Sequence, residues 1–376
     1  MKKVLLSVVI IFVLTISIKS ATINVPGNQP TIQAGIDAAL DYDTVLVAPG
    51  TYTGEENKDI KLSCRRILIR AADGPEMTII DCEGSPDNHH RAFWIECSPF
   101  SPDTNATIEG FTIMDGYAGA GAGIYCYGSR IVVRDCRFIG NTSTSYGGGA
   151  GVVVPSTALF EGCLFANNQA EEGGGIFCSD GAWITASNCT FYGNSSPNGS
   201  AAAVMYGGIL NLSNSIAAYS SEGEAVFTDG STTTLTCCDL FGNAGGDWVG
   251  SIASQEGTNG NISADPYFCD EFNGNFTLMD ISSCATGIDS CGLIGALPVG
   301  CDCCRSPIRG NIDGDPLDET NFADLVYFVT YSFSGGPPPP CFDEADIDGS
   351  GEIDITDIVD LVSYMFSGGA APVVCP

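Results

Sequence analysis

The residues best suited to chemistry lie near the C-terminus, in Asp346-Ile-Asp348-Gly-Ser350-Gly351-Glu352-Ile353-Asp354-Ile-Thr-Asp357. Oxygen-bearing side chains stand at positions 1, 3, 5, 9 and 12 of this stretch, and Gly351 stands at position 6, where the loop must turn sharply. That spacing wraps a hard cation in oxygens, with Glu352 at position 7 adding its backbone carbonyl, and the cation that takes six to eight oxygens is Ca2+. The alternative is a solvated acidic loop that holds no ion.

A second stretch has the same character: Asn311-Ile-Asp313-Gly-Asp315-Pro316-Leu-Asp318-Glu319-Thr-Asn321-Phe-Ala-Asp324. Aligning Asp324-Leu-Val with Asp357-Ile-Val leaves two extra residues between positions 5 and 9, and Pro316 replaces the turning glycine. Its expected ligands are Asn311, Asp313, Asp315, Asn321 and Asp324. Two Ca2+ sites are therefore expected, the second loop being the more regular.

Acid–base chemistry has thinner support. Both histidines, His89 and His90, lie in Ser85-Pro-Asp87-Asn-His-His-Arg-Ala-Phe-Trp94 beside an acid and an aromatic ring. Asp115, Glu171, Glu172 and Asp180 fall where corners are expected and could line a groove. A glycoside hydrolase needs two carboxyl groups about 5–10 Å apart, and a lyase needs a Lys or Arg base, which the repeats scarcely supply after Arg137. His89, Asp115 and Asp180 are the candidate catalytic positions. Hydrated loops and solvated corner acids are the structural alternative.

These residues hang on a repeat. The phrase Cys136-Arg-Phe138-Ile-Gly-Asn141 recurs as Cys163-Leu-Phe165-Ala-Asn-Asn168 and Cys189-Thr-Phe191-Tyr-Gly-Asn194, after 27 and then 26 residues. A weak copy follows at Ser215–Ser220, then Cys238-Asp-Leu240-Phe-Gly-Asn243. Gly121-Ala-Gly-Ile124, Gly148-Gly-Ala-Gly151, Gly173-Gly-Gly-Ile176 and Ala201-Ala-Ala-Val204 run in phase with it. A period in the twenties without a helical pattern means a β-solenoid of polygonal coils. Strict alternation would put Arg134 on the face of Cys136 and Phe138, so a bend should separate them, leaving Arg134 between Glu109 and Glu161 of the neighbouring coils. Each terminal Asn is expected to turn a corner at φ > 0 and to bond to the Asn of the next coil. Cys136, Cys163 and Cys189 are expected to stack as buried thiols. Cross-coil disulfides are the alternative, because rungs lie about 4.8 Å apart.

Near the N-terminus, Ile32, Ile36 and Leu40 share the face of a short helix starting near Pro30, a natural plug for the open end of the coils. This Thr31-Ile-Gln-Ala34 helix precedes Val47-Ala-Pro-Gly-Thr-Tyr52, a block similar to the N-terminal signature of many secreted right-handed β-helix proteins. Pectin methylesterases carry a relative of it. The Phe-x-x-Asn and Gly-Gly-Gly-Ile phrases resemble the repeat of chlamydial polymorphic outer-membrane proteins, although no autotransporter barrel follows. The resemblance covers residues 23–300 and implies an all-β, right-handed parallel β-helix with an N-terminal capping helix and a closing coil at 262–300. Neither the paired-Asp and Gly-His-Gly motifs of polygalacturonases nor the catalytic Asp and Gln segments of pectin methylesterases occur.

The two acidic loops run into matching helices, Asp324-Leu-Val-Tyr-Phe-Val-Thr-Tyr331 and Asp357-Ile-Val-Asp-Leu-Val-Ser-Tyr364, each ending in Phe-Ser-Gly-Gly, with Pro337 to Pro340 between the halves. This pair resembles a type I dockerin over 310–369. The resemblance implies a small α-helical domain folded around two Ca2+ ions, with a cohesin as partner. Here Ile355-Thr356 and Phe322-Ala323 replace the polar pair that dominates cohesin recognition, so surface anchoring or an interdomain role stands beside cohesin docking.

Met1-Lys2-Lys3, the apolar run from Val4 to Ile18 and Ser20-Ala21 read as a secretory signal peptide cleaved after Ser20. No second apolar stretch is long enough to span a bilayer, and 18 Cys in 376 residues fit an oxidising compartment. A net charge of −31 excludes nucleic acid and anionic lipid as partners. Cys301-Asp-Cys303-Cys304 lacks the His expected of a zinc site, so disulfides are expected there. The expected organisation is a signal peptide at 1–20, the β-helix at 21–300, a Cys-rich linker at 301–309, the calcium module at 310–369 and a tail at 370–376. The expected function is that of a secreted, extracellular or cell-surface β-helix of bacterial type. It would bind polysaccharide or a surface and attach through the module to a cohesin-like or cell-surface partner. The alternative is a polysaccharide-degrading lyase or glycoside hydrolase.

Overall fold

Three parallel sheets, of nine, eight and seven strands, wrap the chain into a solenoid in which each complete coil gives one strand to each sheet. The structure, a computed structural model, describes residues 20–97, 105–286, 291–301, 304, 309–315 and 320–374. The expected signal peptide through Lys19, most of the Cys-rich linker and residues 316–319 of the first acidic loop lie outside the described residues. No helix among them is long and apolar enough to cross a membrane.

One coil shows why the sequence folds this way. Arg130–Arg134 belongs to the nine-stranded sheet and Arg137–Ile139 to the eight-stranded one, and Asp135 between them takes φ +49°. This bend resets the parity, so that Val133, Cys136 and Phe138 are all buried while Arg134 faces out. Arg134 stands in register with Glu109 and Glu161, as expected, with Nε 2.5 Å from Glu161, and Arg70 continues the ladder 2.9 Å from Glu109. Exposed pairs of this kind contribute about 1 kcal/mol or less each.

The interior is a set of columns. Phe138, Phe165 and Phe191 stack face to face with centroids 4.6 and 4.8 Å apart. The Gly-rich phrase exists because of this stack and the next coil: a Cβ on Gly175 would lie 2.5 Å from the Ala201 carbonyl and 2.7 Å from the Phe191 ring. One coil later Ala201 stands in the glycine column, and there Ala217 replaces the phenylalanine. Cys136, Cys163, Cys189 and Cys238 are buried free thiols rather than cross-coil disulfides, and burial pushes Cys136 and Cys238 up to about 12.

The asparagines differ from the expectation in one respect. The left-handed residue is the one before each Asn, namely Gly140, Asn167 and Gly193. That turn swings the Asn side chain inward, where Asn141 Nδ2 donates to Asn168 Oδ1 and Asn168 Nδ2 to Asn194 Oδ1, each at 3.0 Å. Asn168 Nδ2 also donates to the Phe138 carbonyl.

Both ends are closed. The helix Ile32–Ala38 is capped by Thr31 Oγ1, which accepts from Ala34 N, and buries Ile32 and Ile36. Leu40, expected on the same face, lies past the helix end and is 75% exposed. At the far end Trp248 and Ile252, just before and within the turn Gly250–Gln255, complete the main core.

Residues 262–300 are not the closing coil expected from sequence. Phe268–Asp270 runs antiparallel to Asn275–Met279, which pairs with Val299–Cys301, and this small sheet straps the outside of the solenoid. Its Phe268, Phe276, Leu278 and Ile294 pack on Leu164, Ala166, Ile216 and Ala218, the outward residues of the eight-stranded sheet. The reason is the outer column itself, which is charged at Arg137 but then offers Leu164 and Ile216, with Thr190 between them accepting from Ala296 N at 2.9 Å. Disulfide Cys237–Cys291 ties the strap to the coils, and Cys269–Cys301 links two of the strap's own strands.

Beneath the strap, Asp239 is fully buried; its Oδ1 accepts from Ala264 N at 3.0 Å and its Oδ2 lies 3.1 Å from Cys284 Sγ. Burial pushes its pKa up to about 7. The folded state therefore holds a proton that the unfolded chain releases near pH 4, so this contribution is present at acid pH and is lost as pH rises from about 4 to about 7. The full swing is on the order of 4 kcal/mol. Asp239→Asn should flatten the pH dependence of the β-helix melting temperature relative to wild type; equal slopes in the two proteins would contradict the assignment.

Candidate functional site

The C-terminal module has its own core of Ile312, Phe328, Ala345, Ile347, Ile358 and Leu361. Its two long helices, Phe322–Ser334 and Ile355–Ser367, each start with a capping box, in which Asp324 and Asp357 return a carboxylate to the N-cap backbone. The position-9 residues Asn321 and Asp354 are the N-caps, accepting from Ala323 N at 2.7 Å and Thr356 N at 2.6 Å. Helix start and loop end are thus the same residues, so folding the helices positions the loop oxygens.

In the second loop, Asp346 accepts from Ser350 N at 2.9 Å on Oδ1 and from Gly351 N at 3.0 Å on Oδ2. Asp357 accepts from Asp348 N at 3.2 Å and Asp354 N at 2.8 Å, which closes the loop on itself. Carboxylate oxygens of Asp346, Asp348 and Asp357 then lie within 4.8 Å of one another. Burial, and after it the charges of Asp348 and Asp346, raise the Asp357 pKa against two backbone hydrogen bonds that lower it. Three carboxylates so close, one of them fully buried, form a donor set that fits a hard cation.

The first loop repeats this frame. Asp315 N donates to Asn311 Oδ1 at 3.0 Å, Asp313 N to Asp324 Oδ1 at 3.1 Å and Asn321 N to Asp324 Oδ2 at 2.7 Å. Among the described residues its carboxylates do not gather as tightly as those of the second loop. Sequence reasoning missed Arg309, whose Nη1 lies 2.5 Å from Asp346 Oδ2 and 2.6 Å from the Asp346 carbonyl. No spacing rule links residues 37 apart. Outside the loops, Cys304 and Cys341 are disulfide-bonded, in keeping with the disulfides expected of the linker region.

The outer faces of the two helices are duplicates. Phe322, Val326, Val329 and Phe333 on one, and Ile355, Val359, Val362 and Phe366 on the other, recur at i, i+4, i+7 and i+11, one face of a helix. All eight are between 37% and 65% exposed. An open depression of about 400 Å³ lined by Phe333 and Ile355 lies where the end of one stripe meets the start of the other.

Of the catalytic candidates, the structure brings His89 and Asp115 to one corner of the coils. Asp115 turns that corner at φ +53°, its carbonyl accepting from Gly84 N. Burial, and next the charge of Asp81, raise its pKa. The His89 ring lies 5.1 Å from the Tyr117 ring, and His90 Nδ1 lies 2.6 Å from Asp59 Oδ2. Asp59 and Asp81 were not singled out from sequence; the usable signal is that Asp59 and His90 are 31 residues apart, about one coil. Asp180 sits elsewhere, in the turn between Ile176–Cys178 and Trp183–Ser187, where it accepts from Ser179 Oγ at 2.7 Å. The structure does not join it to the others.

Comparison with known proteins agrees with the coil architecture. Over 172 residues, 44% of this chain, it is 29% identical to a metabotropic glutamate receptor-like protein R of Dictyostelium discoideum. The chain covers about a tenth of that protein's length. Residues 58–215 match the family model described as a right handed beta helix region. With its parallel in-register coils, the chain is a right-handed β-helix protein.

Proposed function

We propose that the chain is a secreted β-helix scaffold whose coils bind polysaccharide or a cell surface, and that its C-terminal module attaches it to a protein partner. The duplicated apolar stripe carries this reading. Eight large apolar side chains held in water on two helix faces, in a chain of net charge −31, have no role in the module core and suit docking. Calcium is the ion proposed to hold the loops, through Asp346, Asp348, Ser350, the Glu352 carbonyl, Asp354 and Asp357, and through Asn311, Asp313, Asp315, Asn321 and Asp324. When bound, it supplies the charge that lets the acidic loops fold.

The partner is tested with an immobilised type I cohesin in calcium buffer. The full chain should be retained, and Phe333→Asp with Phe366→Asp should abolish retention while each single change weakens it by roughly tenfold or less, because the second stripe remains. Retention unchanged in the double variant would remove the stripes from the interface. A second reading, polysaccharide cleavage, is favoured by the close His90–Asp59 pair, whose His90 exchanges backbone hydrogen bonds with Tyr117, two residues past Asp115. Sugar release by wild type that disappears in His90→Ala would support it.

A further inference from the structure

We infer that the outer face of the seven-stranded sheet binds a neutral sugar chain anchored at Trp94; this rests on the reading of the coils as a polysaccharide-binding surface and assigns it a place and a ligand class. The outward residues in register there are Trp94, Tyr125, Gly151, Phe177, Ala203 and Phe227. Phe177 is buried beneath Tyr146, whose ring lies 4.6 Å away, so the accessible part of this row is its Trp94 end, with Tyr125 half-buried beside it.

The exposed end of this track is built rather than incidental. Trp94 is 38% exposed, and its ring meets Tyr125 edge-on at 5.3 Å. The Arg91 guanidinium lies 4.8 and 5.2 Å from these two ring centres and is itself held by the Ala120 carbonyl at 2.5 Å. This stacking fixes both rings before any ligand arrives. Trp94 Nε1 donates to Glu96 Oε2 at 3.0 Å, and an open depression of about 350 Å³ over the ring is lined by Lys61, Leu62, Ser63, Trp94 and Glu96.

A flat ring with a hydroxyl, a carboxylate and an ammonium at its rim matches a sugar, which offers an apolar C–H face and a belt of hydroxyls. An apolar peptide would leave those rim groups unpaired. The rim carries one acid and one base, and the field of a chain at net charge −31 repels polyanions, so the ligand is neutral rather than a polyuronate.

The test uses the full chain in calcium buffer, titrated calorimetrically with cellohexaose, xylohexaose, mannohexaose and hexagalacturonate. At least one neutral hexasaccharide should bind, and hexagalacturonate should not. Trp94→Ala should weaken that binding by about tenfold or more. Trp94→Phe, which keeps a ring, should retain most of it. Trp183→Ala should change nothing, because Trp183, 47% exposed, lies on the nine-stranded face. Preference for hexagalacturonate, or equal loss in Trp183→Ala, would overturn this inference while leaving polysaccharide binding by the coils intact. Binding of none of the four sugars would overturn the inference and the polysaccharide reading together, without touching the docking of the module.

Discussion

Asp357→Ala should unfold the C-terminal module and leave the β-helix intact. One carboxylate does three things there: it accepts from Asp348 N within the loop, accepts from Asp354 N to close the capping box of the helix Ile355–Ser367, and contributes to the oxygen cluster with Asp346 and Asp348. Each of these two half-buried hydrogen bonds, the capping one included, contributes about 1 kcal/mol. A bound ion adds about 4 kcal/mol when free calcium is a thousandfold above Kd. Together these exceed what a core of six buried side chains supplies to a unit this small. Far-UV circular dichroism in calcium should show loss of helix signal with the β-sheet signal kept. Retention of the helices at wild-type stability would remove Asp357 from the role assigned to it.

The second large effect is in the coils. Phe165 stands fully buried between Phe138 and Phe191, so Phe165→Ala should cost about 3–5 kcal/mol. Gly175→Ala should cost about 1–3 kcal/mol by overpacking, because the added Cβ meets the Phe191 ring and the Ala201 carbonyl. Gly175→Ala combined with Phe191→Ala rebuilds the alanine pair already present at Ala201 and Ala217. The double variant should therefore be less destabilised than the sum of its singles, as measured by urea unfolding. Strict additivity would show that ring and glycine do not answer one another.

The phrase Cys-x-Phe-x-x-Asn made the solenoid legible because every copy does the same work: Cys and Phe fill the interior, and Asn bonds along the axis. The Arg134 ladder was legible for the same reason, since one bend sufficed to set its face. The strap was not. Alternating apolar residues in Phe276–Leu278 look alike whether a strand closes a coil or lies on its outside, and only the apolar outer column at Leu164 and Ile216 decides. Leu40 was misplaced because helical periodicity does not say where a helix stops.

At the candidate site the contrast is one of chain distance. The oxygen cluster of the second acidic loop could be read because its side chains lie within twelve consecutive residues. Arg309 against Asp346 and His90 against Asp59 join residues 37 and 31 apart, and no local pattern announces them. That the two helices match was visible as sequence, yet the exposed stripe on each followed only from the placement of Phe328, Ile358 and Leu361 on the inner faces.

The central claim, that calcium holds the docking module on a scaffold that does not need it, is tested most directly by differential scanning calorimetry of the full chain in calcium and in excess chelator. Two transitions are predicted in calcium. In chelator the one belonging to the module should shift down strongly or disappear, while the β-helix transition stays in place. Superimposable traces in the two buffers would contradict the claim.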